Sequence, residues 1–204
     1  ANLRAIPHFA ALGAGAGSHR EVYPLYLEGP VPGMYFSHAE CGYLHDLRGW
    51  KFGTAYYPHD WRLKYSIKRN ADLYPTHGLG PVSQWMDITR GNKFDYLVSM
   101  SSPALSLKRE AIKRYGKDHP LAKTDYALGD VVNTLIKTHR GQSILVTHDT
   151  NSPRPYSRKI LIQGTNGLAR KYPEEKIFIE GTSERHRWAD LSEYADEYKH
   201  PLLT

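Results

Sequence analysis

A chain of 204 residues with 40% hydrophobic and 12% aromatic side chains can close one good-sized core, or one ordinary domain with a long irregular segment, and its composition excludes a wholly disordered protein. Its formal charge of +6 is spread over Lys and Arg residues that nearly always have Asp or Glu nearby, with no basic run of five or more, a pattern that argues against a nucleic-acid partner. The single cysteine, Cys41, excludes an intrachain disulfide and a cysteine metal cluster, and no run of about eighteen apolar residues is present to cross a membrane.

Along the chain, ALGAGAGSHR is small and Gly-rich, and YPLYLEGPVPGM is broken by prolines at 24, 30 and 32. Residues 1–33 therefore read as an irregular arm, with a short helix near Ile6 to Leu12. GAGAG at 13–17 lacks the G-x-G-x-x-G spacing and a clear preceding strand, so it reads as no dinucleotide fingerprint. The chain starts at Ala1 without a charged-then-apolar leader, which leaves the compartment of a soluble protein open, export to a bacterial periplasm included.

Residues 34–204 read as one α+β domain. MYFSHAECGYL is a strand in which Cys41 fits better as a small buried residue than as a reactive thiol. A loop carrying HDLRGWKFGTAYYPHDW follows, then LKYSIKR as a short extended segment. THGLGPVSQWMDI predicts a helix capped by Thr76, with Val82, Trp85 and Met86 on one face. FDYLVSMSS is strand-like, and LSLKREAIKRYG is an amphipathic helix ending at Gly116. Strands are expected in DVVNTLIKTH, QSILVTHDT, RKILIQGT, GLARKY and KIFIEG, with hairpin turns at 139–142 and 165–167. A terminal helix is expected from Trp188 to Lys199. Consecutive strands on short turns, with helices segregated elsewhere, imply an α+β fold on a large, predominantly antiparallel open sheet with helices on one face. No strand, glycine-rich turn and helix combine into a nucleotide-binding half.

Polar aromatics, histidines and arginines gather at four loop-like places: AECGYLHDLR, HDWR, LYPTHGLGP and SPRPYSR. In the third, Pro75 fixes an extended entry to a helix, so Tyr74 and His77 are aimed consistently. They are a proton-handling pair, a sugar-binding edge, or a capping histidine packed under a tyrosine. Strand alternation puts Tyr43 and His45 on one face, which positions a phenol as a base if cations lower its pKa, or is an ordinary half-solvated strand face. Arg62 is a bidentate anchor for a hydroxyl or carbonyl, or a surface ion-pair partner. Tyr156 sits on a proline-stiffened loop that is a site wall or a rigid connector. The eleven histidines show no metal-binding spacing, no G-x-S-x-G elbow is present, and no carboxylate pair for glycoside hydrolysis stands out.

Taken in order, HAECGYLHDLR, NADLYPTHGLGPV, RGNKFDYLVSMSS, GDVVNTLIKT, VTHDTNSPRPYSRKILIQGTNG and RKYPEE resemble the C-terminal part of glycoside hydrolase family 109, over roughly residues 34 to 201. That family, NAD-dependent α-N-acetylgalactosaminidases, lies within the Gfo/Idh/MocA oxidoreductase superfamily. YPTHGLGP and SPRPYSR are the specific segments; Leu73 stands where the wider superfamily more often has Asp, which favours the glycosidase branch.

The resemblance implies a C-terminal domain of that superfamily lacking its Rossmann domain, NAD as cofactor, and a sheet face that commonly serves homodimerisation. It implies oxidation at C3 of an N-acetylated sugar, loss of the C2 proton, elimination, water addition and reduction, a net hydrolysis with retention. Carried over, Tyr43 is the candidate base. Arg62, Tyr74, Pro75, Thr76, His77 and Tyr156 bind the sugar, Tyr74 also meets the nicotinamide, and His77 assists at the C3 or C4 hydroxyl. Two alternatives stay open: a sugar oxidoreductase that releases NADH, and a non-catalytic sugar-binding or dimerisation remnant. Without a nucleotide half, the isolated chain is expected to be poorly active.

Overall fold

The computed structural model describes residues 35–53 and 58–194. The arm at 1–33, its expected helix and the end of the expected terminal helix lie outside these residues. Among the described residues there are eight strands: β1 (Phe36–Leu44), β2 (Phe94–Ser101), β3 (Val132–Thr138), β4 (Ser143–Asp149), β5 (Ile160–Gly164), β6 (Gly167–Arg170), β7 (Lys176–Ile179) and β8 (Ala189–Asp190). They form one sheet in the order β2-β3-β4-β1-β5-β6-β7-β8.

Both expected hairpins form. β3 and β4 pair antiparallel around a turn in which Gly141 takes a left-handed φ of 89°. β5 and β6 close with Gly164 opposite Gly167. One pairing departs from the expected pattern: β1 and β4 run parallel, with Tyr43 opposite His148 and Leu44 opposite Asp149. Parallel neighbours need a long crossover, and here it is the whole stretch between β1 and β4, which carries the helices.

The core follows the two-residue period of the strands. Ala39 and Cys41 of β1, Ile136 of β3, Ile144 and Val146 of β4, Ile162 of β5, Ala169 of β6 and Ile177 and Ile179 of β7 point to one side. There they meet Val82 and Met86 from the helical segment that lies between β1 and β2. Cys41 is fully buried, and burial pushes its thiol up to about 12, an inert core residue as expected.

Among the described residues, five α-helices accompany the sheet: α1 (Arg48–Lys51), α2 (Trp61–Lys68), α3 (Thr76–Trp85), α4 (Ser106–Tyr115) and α5 (Pro120–Lys123). α3 lies on β1. Leu63 from α2, Leu107 and Ala111 from α4, and Ala122 from α5 form a second core with Phe52 and Tyr126.

Four local expectations need correction. LKYSIKR is helical through Lys68, not extended: α2 buries Arg62, Leu63 and Ser66, a spacing of one helical face. Thr76 does not cap α3; Pro75 holds the N-cap position, and the turn before it is fixed by Tyr74 N–H donating to Asp72 Oδ1 at 2.8 Å. α3 ends at Trp85, because Asp87 and Thr89 take left-handed backbone and the Asp87 carboxylate turns to Arg140 on the β3–β4 hairpin. The start of the expected terminal helix is instead β8 followed by a 3₁₀ turn at Leu191–Tyr194.

Candidate active site

Tyr43 is the last inward-facing residue of β1 and is buried. Beyond it, Leu44 exchanges two backbone hydrogen bonds with Ser157, at 3.0 and 2.8 Å. That bridge staples the SPRPYSR loop to the end of β1, so the Tyr156 ring stands edge-on to Tyr43 at 6.4 Å and to His45 at 4.8 Å. The loop itself is pinned by buried Asp149. Its Oδ1 accepts the backbone N–H groups of Asn151 and Ser152, and Oδ2 pairs with Arg154 at 3.2 Å.

The start of α3 supplies the second wall. His77 lies 5.1 Å and Tyr74 5.2 Å from the Tyr43 ring, centroid to centroid, and the two are 4.8 Å apart. α2 supplies a third wall, with the buried Arg62 guanidinium 5.0 Å over the Tyr74 ring and 4.4 Å over Trp61. The sequence-predicted residues Tyr43, Arg62, Tyr74, His77 and Tyr156 thus converge from four separate segments. Pro75 is half-buried at the cap position, whereas Thr76 is exposed on the first turn.

Three neighbours are missing from that predicted set. His45 Nδ1 is 3.0 Å from Tyr43 Oη, and its ring also packs edge-on to Trp50 at 5.3 Å. The alternation of β1 already puts it on the Tyr43 face. Lys51 lies behind the cluster, buried, with Nζ donating to Ser66 Oγ at 3.1 Å, Thr150 Oγ1 at 2.8 Å and Asn151 Oδ1 at 2.5 Å. Its partners are mostly about a hundred residues away, so no local pattern reveals it. His148, beside Tyr43 across the parallel pairing, is buried with Nε2 lacking a hydrogen-bond partner among the described residues.

Burial and positive charge set the protonation of the cluster. Burial, then Arg158 and Arg62, lower His77 to about 4. Burial, then Lys51 and Arg62, lower His148 to about 3. Burial lowers His45 as well, helped by Arg62 and Arg158 and opposed by Asp46. Lys51 itself is lowered to about 7, first by burial and then by Arg62. The histidines are therefore neutral at pH 7, able to accept hydroxyl protons, while Arg62 and Arg158 leave a positive field that favours a phenolate or an oxyanion. Asp46 is held by Arg48 through two side-chain hydrogen bonds and Asp149 by its loop, so neither is free to act as a catalytic carboxylate.

NAD fits these residues at one end only. The half-buried Tyr74 ring, with Arg62 over it, is an aromatic surface that a nicotinamide could meet. The described residues contain no glycine-rich strand-to-helix turn for the phosphates.

The family model described as "Glycosyl hydrolase 109, C-terminal domain" matches residues 33–204. An α-N-acetylgalactosaminidase of Shewanella oneidensis is 48% identical over 170 residues, covering 81% of this chain and 37% of the relative. A glycosyl hydrolase family 109 protein of Parabacteroides distasonis is 42% identical over 183 residues, covering 81% of this chain and 39% of the relative. A levoglucosan dehydrogenase solved with NADH shares 17% identity over 76% of this chain and 38% of its own, with a TM-score of 0.49. The chain spans under two fifths of the length of these relatives. The family match runs over nearly all of the chain, and the chain belongs to glycosyl hydrolase family 109, as its C-terminal domain.

Proposed function

We propose that this chain forms the sugar-binding and proton-handling side of an NAD-dependent retaining glycosidase acting on α-N-acetylgalactosaminides. The observation that carries this reading is the convergence of Tyr43, Tyr74, His77, Tyr156 and Arg62 on one cluster, in a chain that belongs to family 109. The name of the Shewanella oneidensis relative supports the sugar.

NAD⁺ held beside Tyr74 would supply the temporary oxidation at C3 that makes the C2 proton acidic. Tyr43 takes that proton. His77, neutral at working pH, accepts a hydrogen bond from a sugar hydroxyl and holds its proton. Arg62 and Tyr156 bind and orient the ring, and Tyr74 screens the site from water on the cofactor side. Acidity at C2 replaces the pair of free carboxylates that direct glycoside hydrolysis needs.

The open face of the sheet, where Tyr96, Val98, Met100 and Leu135 are exposed together, is the surface we infer for pairing with a second copy of the chain. A protein that sediments as a monomer at every concentration contradicts that part.

The test of the activity is turnover of an aryl α-N-acetylgalactosaminide by the intact protein in D₂O with NAD⁺. The expected products are the sugar with retained configuration and deuterium at C2. Release without C2 deuterium overturns the elimination route, and steady accumulation of NADH identifies a sugar oxidoreductase instead.

A further inference from the structure

The hydrogen bond between Tyr43 Oη and His45 Nδ1 gives the phenol a partner that can take its proton. We propose that His45 is the positioning residue of the Tyr43 base, its Nδ1 receiving the phenol proton so that Tyr43 acts as a phenolate. The proposal rests on the reading of Tyr43 as the group that removes the C2 proton.

Geometry favours this direction of transfer. A neutral imidazole has one donor and one acceptor nitrogen, and the packing of the ring between Trp50 and Tyr156 fixes Nδ1 toward Tyr43. Burial with Arg62 and Arg158 keeps His45 neutral at rest, against the pull of Asp46. In the transfer the Tyr43 O–H bond breaks and a His45 Nδ1–H bond forms. The pair passes from phenol and imidazole to phenolate and imidazolium, and its net charge stays zero.

The same two arginines that oppose an isolated imidazolium stabilise the phenolate beside it. The rings of Tyr74, His77 and Tyr156 also face Tyr43, with His148 across the sheet. The phenolate oxygen then forms its bond to the C2 proton, and the C–H electron pair stays on the sugar. Tyr43 and His45 share the extra proton, which exchanges with solvent before a proton is delivered back to C2.

Histidine-selective ¹⁵N NMR of the full chain reads the tautomer without any turnover, with His45 assigned by His45→Gln. The expected result at neutral pH is an unprotonated, hydrogen-bonded Nδ1. Its resonance should shift in Tyr43→Phe, and the His45 midpoint should rise there, because the phenol donor no longer favours the neutral ring. A proton on Nδ1 in the wild-type chain overturns the proposal, as does a His45 signal indifferent to Tyr43→Phe. The wild-type tautomer decides alone should that variant not fold.

In the active protein, His45→Gln should lower kcat/KM on the order of a hundredfold at neutral pH, with the loss shrinking as pH rises into the phenol range. A loss that is equal at every pH assigns His45 a structural role and overturns the relay. An acceptor Nδ1 in a protein that turns over no glycoside supports the pair and sinks the glycosidase reading alone.

Discussion

Gly78, the residue after His77, lies against Gly42, the residue before Tyr43. A β-carbon on Gly78 would come within 2.9 Å of the Gly42 nitrogen and 3.1 Å of Cys41 Sγ. This close approach of α3 to β1 brings the His77 and Tyr43 rings together. It gives the His-Gly step of the YPTHGLGP segment a physical reason. An added methyl must push the helix start off the strand, because backbone cannot give way as a flexible side chain can.

Gly78→Ala should therefore destabilise the chain by about 1–3 kcal/mol and weaken sugar binding beyond that, since it displaces His77. Gly80→Ala, two residues on in the same helix with no atom near its added carbon, should be neutral or stabilising by up to about 1 kcal/mol. Urea unfolding of the two variants checks the contrast.

Lys51 makes stability depend on alkaline pH. Its folded pKa, about 7, lies below its ordinary value of 10.5, so between those limits the unfolded chain binds more protons and stability rises with pH. The slope it adds in that window is at most about 1.4 kcal/mol per pH unit. Ser66 donates its own hydroxyl to Arg62 O, so it must accept from Lys51. Lys51→Met should flatten the rise seen by denaturant unfolding from pH 7 to 10.

His148 acts on the acid side. Lowered to about 3 from 6.5, it stays neutral when folded while the unfolded chain takes up a proton, so stability falls as pH drops from about 6.5 toward 3. His148→Phe removes both the proton uptake and the unpartnered buried nitrogen. Its stability curve should cross that of the wild type, relatively better at pH 4 than at pH 7.5. Parallel curves would mean that the imidazole is charged or solvated in the fold.

Much of the sheet is legible in the sequence because its strands alternate: buried Ile144, Val146 and His148 interleave with half-exposed Leu145 and Thr147. α2 is misread for the same reason. Leu63, Tyr65 and Ile67 imitate a strand, while two of the three buried positions are the polar Arg62 and Ser66, whose burial depends on partners from elsewhere. The parallel pairing of β1 with β4 is likewise a tertiary fact that no local period encodes. The candidate site is legible at Tyr74, His77 and Tyr156 because proline-stiffened segments mark it. Lys51 is invisible there, since a lysine between Trp50 and Phe52 is ordinarily solvated and only Thr150 and Asn151 reveal that it is not.

Asp149 holds the Tyr156 loop. Removing its carboxylate leaves two backbone N–H groups and Arg154 without their acceptor. Asp149→Ala should cost about 3 kcal/mol and open the segment between Asn151 and Arg158 to proteolysis under native conditions. Cleavage elsewhere first would show that the loop is held by other contacts.

The most direct test of the central claim is a calorimetric titration of N-acetylgalactosamine into the chain and into His77→Ala. Saturable binding that weakens roughly tenfold in the variant, about the loss of one good hydrogen bond, is the predicted result. No binding to the wild-type chain, or equal binding to both, would contradict a sugar site built around Tyr43, Tyr74 and His77.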